Sequence, residues 1–262
     1  MPSNQAKIIL AALVLILAGG CGLTPEQARV EIEDRGLTFD EAGIGNAVLS
    51  EDTKLLELFI SAGYDVNAFD NPGRAPLTLS TRLSRWPTMK LLINAGARAE
   101  ALPGVLITPA SRGDLRTMSL LLDAGADIDS MDLAWRTAML GAIENGKVEA
   151  VRFLLDNGAN PDGGRSSGRH GGNPLITAIK THQPETAELL IAAGANVNTI
   201  GGMPIVTPLI AAVRQDQTET ADRLLAAGAD PRMSVRGIDA IQAAERAGHH
   251  ALAKRLRETP AR

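Results

Sequence analysis

The chain has few of the residue types that fill a thick protein core or build a catalytic site. Aromatic residues make up 3% of its 262 residues, and it contains one cysteine, one tyrosine and four histidines. A single cysteine leaves no disulfide within the chain. Because aromatic residues are also few, Leu, Ala and Ile must supply most of the apolar surface of the core. This composition favours a thin, layered core. The net charge of −4 is too small to indicate a nucleic-acid partner, and we expect none.

Long hydrophobic runs are also scarce. The run IILAALVLILA at residues 8–18 has eleven residues, whereas a helix needs about 20 to cross a bilayer. Lys7 before the run and Gly19, Gly20 and Cys21 after it are typical of a secretory signal. We therefore predict a signal peptide over residues 1–20.

The segment LAGGC resembles the box of bacterial lipoproteins, in which the cysteine is acylated and becomes the first residue. The resemblance implies that Cys21 is lipidated and that residues 21–36 hold this anchor, a short linker and a capping helix. Gly22, where Asp would cause retention in the inner membrane, implies the periplasmic face of the bacterial outer membrane, with acyl chains as the anchor. Conventional cleavage near residues 18–20, with Cys21 incidental, is the alternative.

One short segment recurs six times at a nearly constant interval. LLLDAGADID at residues 120–129 is matched, for example, by LLINAGARAE at 91–100 and LLIAAGANVN at 189–198. Its glycine recurs at spacings of 33, 29, 33, 36 and 34 residues, as Gly63, Gly96, Gly125, Gly158, Gly194 and Gly228. A period near 33 predicts a solenoid, because a unit this short cannot bury its apolar face alone and must stack on its copies.

Each copy carries the signals of two short helices. The first helix begins at a proline or an equivalent residue, and its N-cap is predicted at Thr137, Asn173, Thr207 and Asp239. The second helix repeats apolar residues at spacings of three and four. The recurring glycine is expected to end it in the left-handed conformation. Each unit is therefore predicted to be helix, short turn, helix, glycine and an extended polar segment, which we call the finger.

The pattern TPLxxA…LLxxGAxxN with a period near 33 resembles the ankyrin repeat. The resemblance implies an all-α solenoid of about seven helix-turn-helix repeats with short β-turn fingers. An N-terminal capping helix is predicted by Thr24 as N-cap, Pro25 as the first helical residue and Gln27, which completes a capping box with Thr24. Pro109, together with the spacing of 29, predicts a shortened or kinked first helix in the third repeat. The resemblance implies an ankyrin-repeat domain over residues 37–262, with repeats expected near 37–68, 69–99, 100–130, 131–162, 163–200, 201–232 and 233–262.

In the ankyrin family, partners usually lie against the fingers and the first helix of each pair. Five variable positions in each of repeats two to seven give thirty positions, and nine of these are basic whereas two are acidic. Since the whole chain is acidic, the predicted concave face is electropositive and the remainder is not. Such a face attracts an acidic partner and speeds its association. The alternative is that these arginines serve only solubility and local hydrogen bonding.

The candidate partner-binding residues lie on this face and its fingers. Trp135 is either a partner contact, where Trp is favoured, or a local packing residue. The longest finger, residues 159–173, has five glycines and is either an adaptable contact loop or a neutral insertion. Trp86 occupies a position otherwise held by Leu or Val and is predicted to lie in the core. The candidates are Arg74, Arg82, Arg112, Trp135, Arg136, Arg165, Arg169, His170, Lys180, Arg214, Arg236 and Arg246.

No arrangement of residues predicts catalysis. Carboxylates are scattered over the second helices, no cysteine nucleophile is present beyond Cys21, and the adjacent His249 and His250 cannot face one metal site on a helix. We therefore expect no enzyme, no cofactor and no metal. The expected function is that of a monomeric periplasmic lipoprotein that binds a protein with an acidic surface, as an adaptor or as an immunity protein. The alternative is a receptor for an anionic envelope polymer or a lipid head group.

Overall fold

The computed structural model describes residues 23–69, 74–163 and 172–259. The predicted signal peptide and four of the candidate residues, Cys21, Arg165, Arg169 and His170, lie outside the described residues. The described part of the chain contains fifteen α-helices and no extended strand. It divides into two compact units, the first formed by residues 23–69, 74–109 and 116–127 and the second by residues 110–115, 128–163 and 172–259.

The first unit stacks helix pairs on an N-terminal helix. Helix α1 packs on α3, α2 pairs with α3 and α4 pairs with α5, while α2 contacts α4 and α3 contacts α5. A short 3-10 helix, Ala99–Ala101, follows α5, and α6 is divided between the two units. The bounds are α1 (Pro25–Asp34), α2 (Glu41–Leu49), α3 (Thr53–Ser61), α4 (Pro76–Arg82), α5 (Trp86–Asn94), α6 (Ile107–Arg112) and α7 (Leu115–Asp123).

The second unit contains four helix pairs arranged in two rows. We call α8, α10, α12 and α14 the first-helix row, because each contacts the next. The second-helix row is α9, α11 and α13, extended by α15, whose Arg255 pairs with Asp222 of α13. The bounds are α8 (Ala138–Glu144), α9 (Val148–Asp156), α10 (Pro174–Lys180), α11 (Pro184–Ala192), α12 (Pro208–Arg214), α13 (Thr218–Ala226), α14 (Ala240–Arg246) and α15 (His250–Glu258).

The predicted helix starts are confirmed. Thr137, Asn173, Thr207 and Asp239 are N-caps whose side chains accept the backbone N–H three residues later. Thr24 and Gln27 form the predicted capping box at the start of α1, where Pro25 is the first helical residue. A proline at that place costs nothing, because the first N–H groups of a helix have no intrahelical acceptor. These caps fix where each first helix begins and therefore which of its faces is buried.

The core is thin and built of small side chains, as the composition predicts. The apolar residue that follows the proline, or the equivalent residue, of the first helix is buried in six copies, for example Leu175 and Leu209, whereas Ile241 of the last pair is only half-buried. Three residues later a small side chain is buried where neighbouring first helices pass, for example Ala178 and Ala212. A larger residue there would push the helices apart, because protein interiors are close-packed.

The recurring segment holds neighbouring repeats together by hydrogen bonds that were not predicted. Four residues after the glycine, an Asn or Asp side chain accepts a backbone N–H from the next copy. The side chain of Asn198 also donates to the carbonyl of Gly228, at 3.0 Å. The accepted bonds are Arg98 to Asn67 at 2.9 Å, Asn160 to Asp129 at 3.0 Å, Asn196 to Asp162 at 2.8 Å and Asp230 to Asn198 at 2.8 Å.

The six glycines all have the predicted left-handed backbone, with φ between 82° and 95°. The predicted effect of Pro109 is confirmed, because α6 is one residue shorter than the first helices that begin at a proline. The helix starts at Ile107, so Pro109 lies in its first turn, where it breaks no hydrogen bond. The proline is accommodated because this helix begins only two residues before it.

Candidate functional site

The charged side chains of the second unit are sorted between its two helix rows. In the second-helix row, arginines are paired with carboxylates. Arg152 lies 3.4 Å from Glu185 and 3.8 Å from Glu149, and Arg223 pairs with both Glu188 and Glu219. Arg255 and Arg257 pair with Asp222 and Glu245. These exposed pairs leave the second-helix row with little unbalanced positive charge.

The predicted basic residues of the first-helix row, and the one in the finger that precedes α14, have no such partners. Among the described residues, no carboxylate forms an ion pair with Lys180, Arg214, Arg236 or Arg246. The three arginines are exposed and Lys180 is half-buried. An unpaired, exposed guanidinium keeps its field and its five donors for a ligand. Three cations of this row, Lys180, Arg214 and Arg246, thus lack an ion pair among the described residues, whereas in the second-helix row only Lys254 does.

Lys180 and Arg214 are close enough to repel each other. Burial and the neighbouring charge of Arg214 lower the pKa of Lys180 below its ordinary value. The Lys180 Nζ donates to the carbonyl oxygen of Pro204 at 3.1 Å, so its end is held against the next finger. A carboxylate placed beside these two cations would relieve their repulsion, which is the electrostatic signature of an anion-binding position.

Two fingers of the second unit are small antiparallel hairpins. Gly201 and Val206 exchange both backbone hydrogen bonds, at 3.0 and 2.9 Å, and enclose a tip of Gly202, Met203, Pro204 and Ile205. Val235 and Ile238 do the same around Arg236 and Gly237, both of which have positive φ, at 54° and 72°. Positive φ at both central residues is characteristic of the tightest hairpin turns. The first tip is therefore apolar and the second is basic.

The finger that precedes α8 is organised by Asp132. Its carboxylate accepts the backbone N–H groups of Ala134 and Arg136 and two bonds from the Arg136 guanidinium, at 2.9 to 3.0 Å. Burial acts to raise the pKa of Asp132, but the hydrogen bonds from Arg136 and Ala134 outweigh it and hold the pKa below its ordinary value. The predicted contact residue Arg136 is thus already engaged within its own finger.

The tip of that finger is apolar and exposed. Leu133 is fully exposed and Trp135 is 46% exposed, with a positive φ of 61°. The two predicted roles of Trp135, a partner contact and a local packing residue, both stay predictions, since about half of its side chain is covered. Large apolar side chains on a protruding tip cost free energy in water and are characteristic of contact surfaces.

In the first unit, Arg82 and Leu83 are exposed at the end of α4, and Arg74 is exposed just before that helix. Arg112, at the end of α6, is also exposed. The prediction that Trp86 lies in the core is wrong. It is the first residue of α5 and is half-buried, with the guanidinium of Arg116 3.7 Å from its ring centroid and Lys90 Nζ at 5.3 Å. The indole therefore stacks on cations instead of filling the core.

Sequence reasoning placed Met203 and Pro204 of the 199–206 finger among the thirty contact positions, but it did not select this apolar tip as a candidate site. The signal was available, because Ile200, Met203 and Ile205 lie between glycine and proline residues that predict a loop. The structure exposes all three, Met203 to 92%. An apolar side chain in a predicted loop is expected to be exposed, and this pattern could have identified the tip as a contact surface.

Comparison with known proteins agrees with the helix pairs and fingers. Residues 106–200 match a model of three ankyrin repeats, and residues 206–234 match the model of a single ankyrin repeat. These residues are ankyrin repeats, and the chain has the ankyrin-repeat fold. A solved ankyrin repeat domain from Acinetobacter baumannii AYE superposes with a TM-score of 0.63 at 29% identity, covering 72% of this chain and 99% of that one. The predicted ankyrin-repeat fold is confirmed.

Curated relatives are similar over part of their length. A B-cell lymphoma 3 protein homolog of Mus musculus is 32% identical over 155 residues, which is 55% of this chain and 34% of the mouse protein. An ankyrin repeat-containing protein of Treponema pallidum (strain Nichols) is 29% identical over 139 residues, or 51% of this chain and 47% of that protein. The chain thus matches less than half the length of either relative.

Neither a metal-binding cluster nor a membrane-spanning helix is found in the part of the chain that the structure describes. In residues 23–69, 74–163 and 172–259, no cluster of three or more His, Cys, Asp or Glu side chains is placed to hold a metal ion. Within the same ranges, no helix combines the length and hydropathy that crossing a bilayer requires. The described residues therefore offer surfaces for binding, above all the first-helix row with its unpaired cations and the fingers with their exposed apolar tips.

Proposed function

We propose that this ankyrin-repeat protein is a non-enzymatic binding module whose partner is a protein with an acidic surface. The partner lies on the first-helix row and the fingers of the second unit. The observation that supports this proposal is the sorting of ion pairs. Arginines of the second-helix row are neutralised by carboxylates, whereas Lys180, Arg214 and Arg246 of the first-helix row are not. Unbalanced charge on one surface steers an oppositely charged partner.

We also propose a cellular location for the protein. The segment LAGGC supports acylation of Cys21 and residence on the periplasmic face of the outer membrane. The partner would then be an envelope protein that the module holds in place, or a toxin that it neutralises. A receptor for an anionic polymer is the competing function, and it is disfavoured by the exposed Leu133, Trp135 and Met203. Such side chains gain nothing from a polyanion but gain from burial against a protein.

Site-specific photo-crosslinking in living cells tests the proposal. A benzophenone amino acid replaces Ala134 at a finger tip in one variant and Ala251 of the second-helix row in another. Both alanines are exposed, so the two variants are matched. We expect a protein adduct at position 134 that decreases when the ionic strength is raised, because exposed charges are screened, and none at position 251. Equal adducts at both positions, or none at position 134, would contradict the proposal.

A further inference from the structure

The tip of the 199–206 finger and the unbalanced cations of the first-helix row are in direct contact. Lys180 Nζ is bonded to the carbonyl oxygen of Pro204, and the residues on either side of this proline are the exposed Met203 and Ile205. A methyl group placed on Gly202 would lie 2.9 Å from Lys180 Nζ and 3.0 Å from Cγ2 of Ile176. The finger tip therefore lies directly on α10, and its apolar surface is continuous with a positive charge.

Both halves of this surface lack a counterpart within the described chain. No carboxylate there pairs with Lys180 or with the neighbouring Arg214. Ile200, Met203 and Ile205 are each at least 44% exposed. Contiguous exposed apolar surface that is bordered by charge is typical of a protein-interaction site. Methionine suits such a site, since its flexible, polarisable side chain adapts to different partner surfaces.

We infer that the second unit binds an acidic segment of a protein that also carries a bulky apolar side chain. The apolar side chain lies on Met203 and Ile205, and a carboxylate of the same segment lies between Lys180 and Arg214. This inference rests on the proposed function and specifies the chemistry of its partner. Charge complementarity selects the acidic residue, while the apolar tip selects a polypeptide over a phosphate-rich polymer.

The two parts of the surface have different roles in binding. Truncating a buried apolar anchor mainly speeds dissociation, and removing an exposed charge mainly slows association. The two contributions should therefore separate in kinetic measurements. A partner that used only charge would respond to Arg214 and not to Met203, and the reverse would hold for a purely apolar partner.

The test selects peptides from a phage-displayed random library on the immobilised full chain. Enriched peptides are then measured against Met203→Ser and Arg214→Ser. Val30→Ser is the matched apolar control, because Val30 is exposed on α1. Lys254→Ser is the matched charge control, because Lys254 is exposed in the second-helix row. Thermal midpoints of all four variants establish that each is folded.

We expect the enriched peptides to combine Asp or Glu with Leu, Ile, Phe or Met. Each test variant should weaken their affinity by about tenfold, which corresponds to the loss of one anchor, whereas the controls should leave it unchanged. The inference is overturned if no peptide is enriched, if the enriched peptides lack either residue class, or if a folded test variant binds as tightly as the parent. Binding of phosphatidylglycerol vesicles instead of peptides, or self-association abolished by the same variants, would overturn it equally.

The two proposals can fail separately. A protein adduct at position 134 together with unaffected peptide binding by Met203→Ser and Arg214→Ser would retain the binding module and discard this partner chemistry. Loss of both the adduct and peptide enrichment would discard both.

Discussion

The carboxylate of Asp162 accepts the backbone N–H of Asn196, 2.8 Å away and one repeat further along the chain. The same relationship joins Asp230 to Asn198 and, in the first unit, Arg98 to Asn67. Each bond satisfies an N–H group at the base of a finger, where no helix or strand supplies an acceptor. The polar residue four positions after the glycine is therefore part of the contact between repeats, and it explains why the segment is copied so closely.

Removing one of these bonds should destabilise the second unit. Asn198→Ala deletes the acceptor of the Asp230 N–H and the donor to the Gly228 carbonyl. We expect the free energy of unfolding to fall by about 1–3 kcal/mol, because two partly buried groups lose their partners. Urea denaturation measures the change. Asn157→Ala is the control, since Asn157 is exposed and bonds only within its own helix end. Equal effects from the two substitutions would contradict the role of the inter-repeat bond.

Gly125 should resist substitution because of its backbone. Its φ is 87°, which is unfavourable for a residue with a Cβ and worst for a β-branched one. We expect Gly125→Val to lower the free energy of unfolding by at least about 1–2 kcal/mol. Gly45→Ala should do the opposite and stabilise by up to about 1 kcal/mol, since Gly45 lies inside α2 with open space around its Cα. Thermal unfolding of both variants tests the pair, and a destabilised Gly45→Ala would refute it.

The finger that precedes α8 should respond to acid. The pKa of Asp132 is lowered in the folded state, so its ionised form stabilises the fold above the unfolded pKa of about 3.9. That contribution is lost as the pH falls through the lower, folded value. The difference in unfolding free energy between the parent and Asp132→Asn should therefore be full at neutral pH and vanish in strong acid. A difference that is independent of pH would show that the ionised form of Asp132 contributes nothing to stability.

Lipidation of Cys21 is directly measurable. Cells grown with labelled palmitate should incorporate the label into the parent protein and not into Cys21→Ser. Because acyl chains supply the membrane affinity, the variant should also move from the membrane fraction to the soluble fraction. Label in both proteins, or in neither, would contradict acylation of Cys21.

Much of the fold was predictable because its signals are local. A threonine before a proline, or a glycine after an amphipathic helix, acts on the backbone within a few residues, and Thr207, Pro208 and Gly228 all do what the sequence predicts. The period then implies stacking. Side-chain partners were less predictable, because they depend on distances between segments far apart in the chain.

The candidate site shows which side-chain contacts the sequence could not predict. Repeat position correctly placed Arg82, Arg214 and Arg246 at the exposed ends of first helices. It could not show that Arg136 is held by Asp132 or that Lys180 reaches the next finger. Trp86 was misplaced because its sequence position is apolar in other repeats, whereas here Arg116 covers the ring. The conformations of long side chains decide these contacts, and the repeat pattern of the sequence does not encode those conformations.

The most direct test of the account is the rate at which the partner crosslinked at position 134 associates with the purified protein over a range of ionic strength. Exposed unbalanced charge raises association rates, and the effect disappears when salt screens it. Replacing Arg214 and Arg246 together with Ser should slow association at low salt and flatten its salt dependence, while Lys254→Ser should change neither. If Lys254→Ser slows association as much as the double variant, or if the double variant associates as fast as the parent at low salt, then the first-helix row is not the binding surface.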